Sequence, residues 1–124
     1  MHCLRCGKCC RNTEMELSRE DIQRLVEAGF SAEDFMVCSG VPRLRNVDGW
    51  CYFYDLRKRR CKVYRLRPLG CRIYPVIYVE GKGVAIDDLC PMRHTISERE
   101  FKVKAKVLLK LLAKIDSERA QFKV

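Results

Sequence analysis

Apolar residues recur at helical spacing most clearly toward the C-terminus, where Phe101, Ala105, Leu108, Leu112 and Ile115 fall on one face. That period predicts a helix capped by Ser97, with Glu100 completing a capping box, running to about Arg119. On the opposite face Lys102, Lys106, Lys110 and Lys114 form a row of one sign. Each like-charge pair four residues apart costs about 0.2–0.5 kcal/mol in an isolated helix. A solvated face is the simplest reading of the row, and a surface for a phosphate backbone or an acidic partner is the alternative. Near the N-terminus, Ser18 with Asp21 three residues on predicts a helix start, followed by an apolar stripe of Ile22, Leu25 and Val26 and a stop at Gly29. Ser31 to Asp34 repeats the capping pattern and predicts a second, shorter helix around Phe35 and Met36, so that the two form a helical hairpin.

The pattern changes in the middle of the chain. Leu44 to Val47 and Trp50 to Tyr54 read as strands joined by Asp48-Gly49, a hairpin turn pair. A basic turn, Arg57-Lys58-Arg59-Arg60, leads into Cys61-Lys62-Val63-Tyr64. Arg67-Pro68-Leu69-Gly70-Cys71 and then Tyr74-Pro75 break the pattern. Val76 to Glu80 and Val84 to Asp87 flank Gly81-Lys82-Gly83 as a further hairpin. The expected fold is a small α+β domain over residues 1–124: a cysteine-rich knuckle over 1–12, a helical hairpin, short antiparallel strands and one long C-terminal helix.

Composition narrows this. A chain of 124 residues holds one domain, and 48% apolar with 33% charged residues is globular rather than disordered. No stretch is long and apolar enough to cross a bilayer, and Met1-His2-Cys3-Leu4-Arg5-Cys6 has no signal core, so a cytoplasmic location is expected. The net charge of +9 suits an anionic partner, an acidic protein or a nucleic acid, without choosing between them.

Nine cysteines change the picture most. An odd count, no export signal and four thiols between Cys3 and Cys10 argue against a disulfide framework, although proteins of hyperthermophiles can carry disulfides inside cells. Cys3-x2-Cys6-x2-Cys9-Cys10 has metal-ligand spacing. Zinc takes four such ligands at about 2.3 Å, and iron–sulfur clusters also take four thiolates. The bacterial ferredoxin run is C-x2-C-x2-C with a further cysteine before proline that serves a different cluster, whereas the Cys90-Pro91 pair here is remote from the opening triplet. Cys51, Cys61 and Cys71 are separated by equal nine-residue gaps, each near a predicted strand end or turn. Their competing role is that of small buried hydrophobes. In extended chain Cys9 and Cys10 face opposite ways, so they serve two centres, or one binds and the other supports it. Eight cysteines could supply two four-thiolate centres, or one centre and a reserve of buried or redox-active thiols. Cys38 stands apart, at the end of the second short helix, and is not expected to be a ligand. His94 follows Cys90 by four residues, a spacing zinc can use, but it and His2 read more simply as a loop and a terminal residue. Arg65, Arg67 and Arg72 could offset thiolate charge. No nucleophile–base pair, paired carboxylates or phosphate loop indicates an enzyme, and Asp87-Asp88 reads as a strand end.

The opening Cys3-Leu4-Arg5-Cys6-Gly7-Lys8-Cys9-Cys10 resembles the CxxCxxCC family, described as zinc- or iron-chelating proteins. So do Cys51-Tyr52-Phe53, Cys61-Lys62-Val63-Tyr64, Arg67-Pro68, Cys71-Arg72-Ile73-Tyr74-Pro75 and Cys90-Pro91. The resemblance spans roughly Cys3 to Pro91 and leaves out Cys38. It implies a metal-chelating module with Cys3, Cys6, Cys9, Cys10, Cys51, Cys61, Cys71 and Cys90 as candidate ligands, and the expected group is an iron–sulfur cluster, 4Fe–4S in preference, or zinc. A similar cysteine module occurs in flagellin lysine N-methylases, but with no glycine-rich cofactor loop after a strand, methyl transfer does not carry over. Three roles follow: a centre that holds the fold, a redox or metal-delivery protein, and a zinc module that binds nucleic acid through its basic patches. In the third, Tyr52, Phe53, Tyr54 and Tyr64 would stack on bases, although they read more naturally as strand core.

Overall fold

The computed structural model describes residues 10–88, 90 and 92–119. Helix α1 (Arg19–Glu27) begins as its sequence predicts: Ser18 Oγ accepts from the Asp21 N–H at 3.2 Å, and the Asp21 carboxylate accepts from the Ser18 N–H at 3.1 Å. Its buried face is centred on Asp21 and Leu25. Val26, expected on the apolar stripe, is therefore turned to solvent at 46% exposure. Gly29 follows in the left-handed region at φ +103°, as a helix stop requires.

Helix α2 (Ala32–Phe35) is one turn long and buries Phe35 completely. Met36 does not continue it but opens strand β1 (Met36–Ser39), which pairs antiparallel with β2 (Val41–Leu44) around Gly40 at φ +77°. Cys38, expected at a helix end, thus lies exposed in a strand. Asp48 and Gly49, at φ +51° and +85°, close the expected two-residue turn between β3 (Asn46–Val47) and β4 (Trp50–Cys51). The strands around that turn are shorter than the alternation suggests, because Leu44 already belongs to the β1–β2 hairpin and the ladder ends at Cys51.

Strands β5 (Tyr54–Asp55) and β6 (Arg60–Cys61) flank the basic turn. A 3-10 turn (Tyr64–Leu66) follows, then α3 (Leu69–Ile73), where the sequence predicted only a break. Pro68 is compatible with a helix start because proline lacks only an N–H that the first turn leaves unpaired anyway. Strands β7 (Val76–Val79) and β8 (Gly83–Ile86) form the expected hairpin. Helix α4 (Glu98–Glu118) is capped by Ser97 Oγ accepting from the Glu100 N–H at 3.0 Å.

Helix α4 closes the molecule along its length. Leu111 and Ile115 pack with Val41, and Leu108 packs with Ile73 and Val76. The buried face therefore centres on Leu108, Leu111 and Ile115, which leaves Ala105 and Leu112 at its margin, half-buried. A separate core gathers Leu17, Leu25, Phe35, Leu44, Cys51, Phe53 and Val63 under the short hairpins. The architecture is mixed α+β, and among the described residues no helix is long and apolar enough to cross a membrane.

Candidate metal centre

Four of the expected ligands come from distant parts of the chain to line one cavity. Cys10, Cys51, Cys61 and Cys71 surround about 50 Å3, with Phe53, Val63, Leu44 and Pro68 among the apolar remainder of the wall. A single water needs about 10–15 Å3 on this measure, so the space exceeds one water site. Cys51 is buried and the other three half-buried.

Each cysteine is placed by local backbone structure. The segment from Cys10 to Thr13 lies along the β3–β4 hairpin: the Asn12 N–H donates to the Gly49 carbonyl at 2.7 Å, and Arg11 bridges to Trp50 with its guanidinium over the indole. Asn46 acts as a strand substitute, its Oδ1 accepting from the Thr13 N–H at 3.0 Å and its Nδ2 donating to the Thr13 carbonyl at 2.8 Å. These bonds hold the stretch after Cys10 beside β4, whose last residue is Cys51. Cys61 ends β6, and the following Lys62 N–H donates to the Phe53 carbonyl at 2.7 Å, tying that strand end to the core. Cys71 lies within α3.

Asp21 fixes α3. Its Oδ1 accepts from the Leu69 N–H at 3.0 Å and from Arg24 at 2.8 Å, while Arg24 donates to the Arg67 carbonyl at 3.0 Å. This fully buried carboxylate satisfies a donor at the start of two helices at once. The sequence showed Asp21 only as a local cap partner, and neither it nor Asn46 carries a signal of this long-range role.

Two arginines border the thiols. Arg67 stacks over Tyr64, 3.8 Å from the ring centroid, and its Nε donates to the Tyr64 carbonyl at 2.8 Å. Arg60 also lines the cavity. Fixed positive charge beside cysteine favours thiolate, the form that binds metal. Arg65 and Arg72, proposed with Arg67 for this purpose, are exposed and absent from the cavity wall, and Arg72 instead donates to the Arg65 carbonyl at 2.7 Å.

Not every predicted site residue converges. The Cys90 side chain is buried in the turn after β8 but does not line the cavity, and its carbonyl accepts from the Arg93 N–H at 3.1 Å. His94 is exposed in a 3-10 turn (Arg93–Thr95). Cys3, Cys6, Cys9, His2 and Pro91 lie outside the described residues. Among the described residues, no three His, Cys, Asp or Glu side chains stand close enough to hold a metal ion by themselves. The four cysteines frame a cavity rather than complete a ligand set. Their donor chemistry, thiols in an apolar wall with two guanidiniums, fits zinc or an iron–sulfur cluster.

Several of the aromatic residues are already engaged with one another. Phe53 is buried, in edge contact with Phe30 and Tyr52, and Tyr54 stacks on Trp50 at 4.8 Å. The lysine row is also partly committed, with Lys102 paired to Glu98 at 3.1 Å and Lys114 to Glu20.

Residues 2–105 match a family model described as "Putative zinc- or iron-chelating domain". A curated relative, an uncharacterised protein of Methanocaldococcus jannaschii, is 30% identical over 83 residues. The matched stretch covers 60% of this chain and 43% of the relative, so the chain spans less than half of that protein's length. No solved structure matches the chain.

Proposed function

The chain belongs to the CxxCxxCC family, and from that premise we propose that it is a module whose cysteine thiolates hold an iron–sulfur cluster, 4Fe–4S in preference to zinc, chiefly to brace the fold. The observation that carries this reading is the convergence of Cys10, Cys51, Cys61 and Cys71 on one apolar cavity. The N-terminal cysteines Cys3, Cys6 and Cys9 complete the ligand pool, and Cys90 is held in reserve. Iron is preferred because the opening spacing matches that of bacterial ferredoxins. When bound, the metal supplies a covalent cross-link among segments otherwise joined by short strand pairs and isolated hydrogen bonds, and an iron–sulfur cluster also supplies a one-electron redox couple. Arg60 and Arg67 offset the thiolate charge, and apolar side chains make up most of the rest of the wall.

The test is elemental analysis of protein purified without oxygen. About four irons and four sulfides per chain are expected. One or two zincs and no iron would overturn the cluster, and metal-free folded protein would overturn the reading as a whole. A structural role further predicts that Cys71→Ser loses metal and thermal stability together. If that variant keeps the wild-type melting temperature without metal, the centre does not hold the fold.

A further inference from the structure

A second concavity shares Arg60, Cys61, Val63 and Tyr64 with the cysteine cavity but opens to solvent. Its volume of about 600 Å3 falls within the roughly 300–1,000 Å3 usual for small-molecule sites. Lys58, Arg60, Lys62 and Arg65 converge on it, all exposed, and none is in an ion pair among the described residues. The one carboxylate there is already engaged: Asp55 Oδ1 accepts from the Arg57 and Lys58 N–H groups at 2.9 and 3.1 Å. The Lys58 N–H holds that carboxyl below its ordinary range, so it stays ionised and leaves the cleft three charges positive. Half-buried Phe30 and Leu66 line the same cleft and give it an apolar part.

Four cations around one hollow focus their field on a compact ligand, whereas a nucleic-acid backbone or an acidic protein face would call for a row spread over the surface. Guanidinium and ammonium groups together match the several oxygens of a phosphate better than a single carboxylate. We infer that this cleft binds a small phosphorylated molecule, its phosphate among Lys58, Arg60, Lys62 and Arg65 and its apolar or ring portion toward Phe30 and Leu66. The inference does not require metal, but it shares Arg60 with the proposed metal centre, and the ligand would sit beside Cys61.

The experiment is calorimetric titration of the full chain, as purified without oxygen, with inorganic pyrophosphate and with ADP. Wild type is expected to bind each, with ADP the tighter. The double variant Lys58→Gln/Lys62→Gln should weaken both by about tenfold or more, the loss of one or two charge-assisted hydrogen bonds. Lys106→Gln/Lys110→Gln removes the same charge from exposed positions of α4 and should change neither. Equal weakening by the two double variants would reduce the effect to net charge and overturn the site. So would failure of either small probe to bind, or binding of single-stranded RNA alone. Iron and zinc content is measured on every variant, which separates failure of this site from failure of the metal centre.

Discussion

Gly70 lies buried in α3, next to Cys71, where a Cβ would overlap Met15 Sδ. The atoms it would meet are the end of one flexible thioether, so the contact asks Met15 to swing aside rather than the backbone to move. Met15 is half-buried against the core that contains Cys51. Gly70→Ala is expected to change stability by no more than about 1 kcal/mol, because Met15 can move and alanine gains helix propensity. With Met15→Ala in place the contact is gone and Gly70→Ala should show its full gain in helix propensity, a coupling that urea denaturation of the two single variants and the double checks. The cysteines themselves were legible in the sequence as residues with metal chemistry. Asp21, Asn46 and Gly70 were not, because their importance lies in partners 48, 33 and 55 positions away.

At the scale of elements, the strands beneath the cavity are two residues long and cannot hold their positions by ladder bonds alone. Asp21 supplies part of what they lack by joining the start of α1 to the start of α3. Asp21→Asn keeps the shape but removes the charge opposite Arg24, and about 1.5–3 kcal/mol of stability should be lost in chemical denaturation. Another link between elements is the Lys114–Glu20 ion pair, which joins α4 to α1. Hydrogen bonding to Lys114 holds the Glu20 carboxyl below its ordinary value of 4.5. A lowered folded-state value means that the contribution is present above pH 4.5 and fades as pH falls through the lower one. The melting-temperature difference between wild type and Glu20→Gln should therefore be constant near neutrality and shrink below pH 4.5. Since this pair is exposed, the difference should be small and should decrease with added salt.

For the whole molecule, the two clusters under α4 pack aliphatic side chains from α4, β2, α3 and β7, whereas the core beneath the short hairpins includes cysteines. On the proposed function, metal removal would weaken these regions unequally. An iron or zinc chelator is expected to abolish protection of the 51–71 backbone amides in hydrogen exchange before that of α4. Uniform loss would mean that the chain unfolds as one unit, and undiminished protection would remove the metal from the stability of the fold.

The sequence by itself determined the elements whose signals are local. Capping at Ser18 and Ser97, the Asp48-Gly49 turn and the hairpin around Gly81 to Gly83 depend on residues within a few positions of one another. It also marked the cysteine chemistry, since spacing alone identifies thiols as candidate ligands. Only tertiary packing decided that Val26 faces solvent, that Leu111 joins the core and that Cys38 lies in a strand. The same packing brought Cys10, Cys51, Cys61 and Cys71 to one cavity and left Cys90 out of its wall. Periodicity shows which residues share a face, but which face is buried, and which distant thiols meet, depends on the elements packed against it.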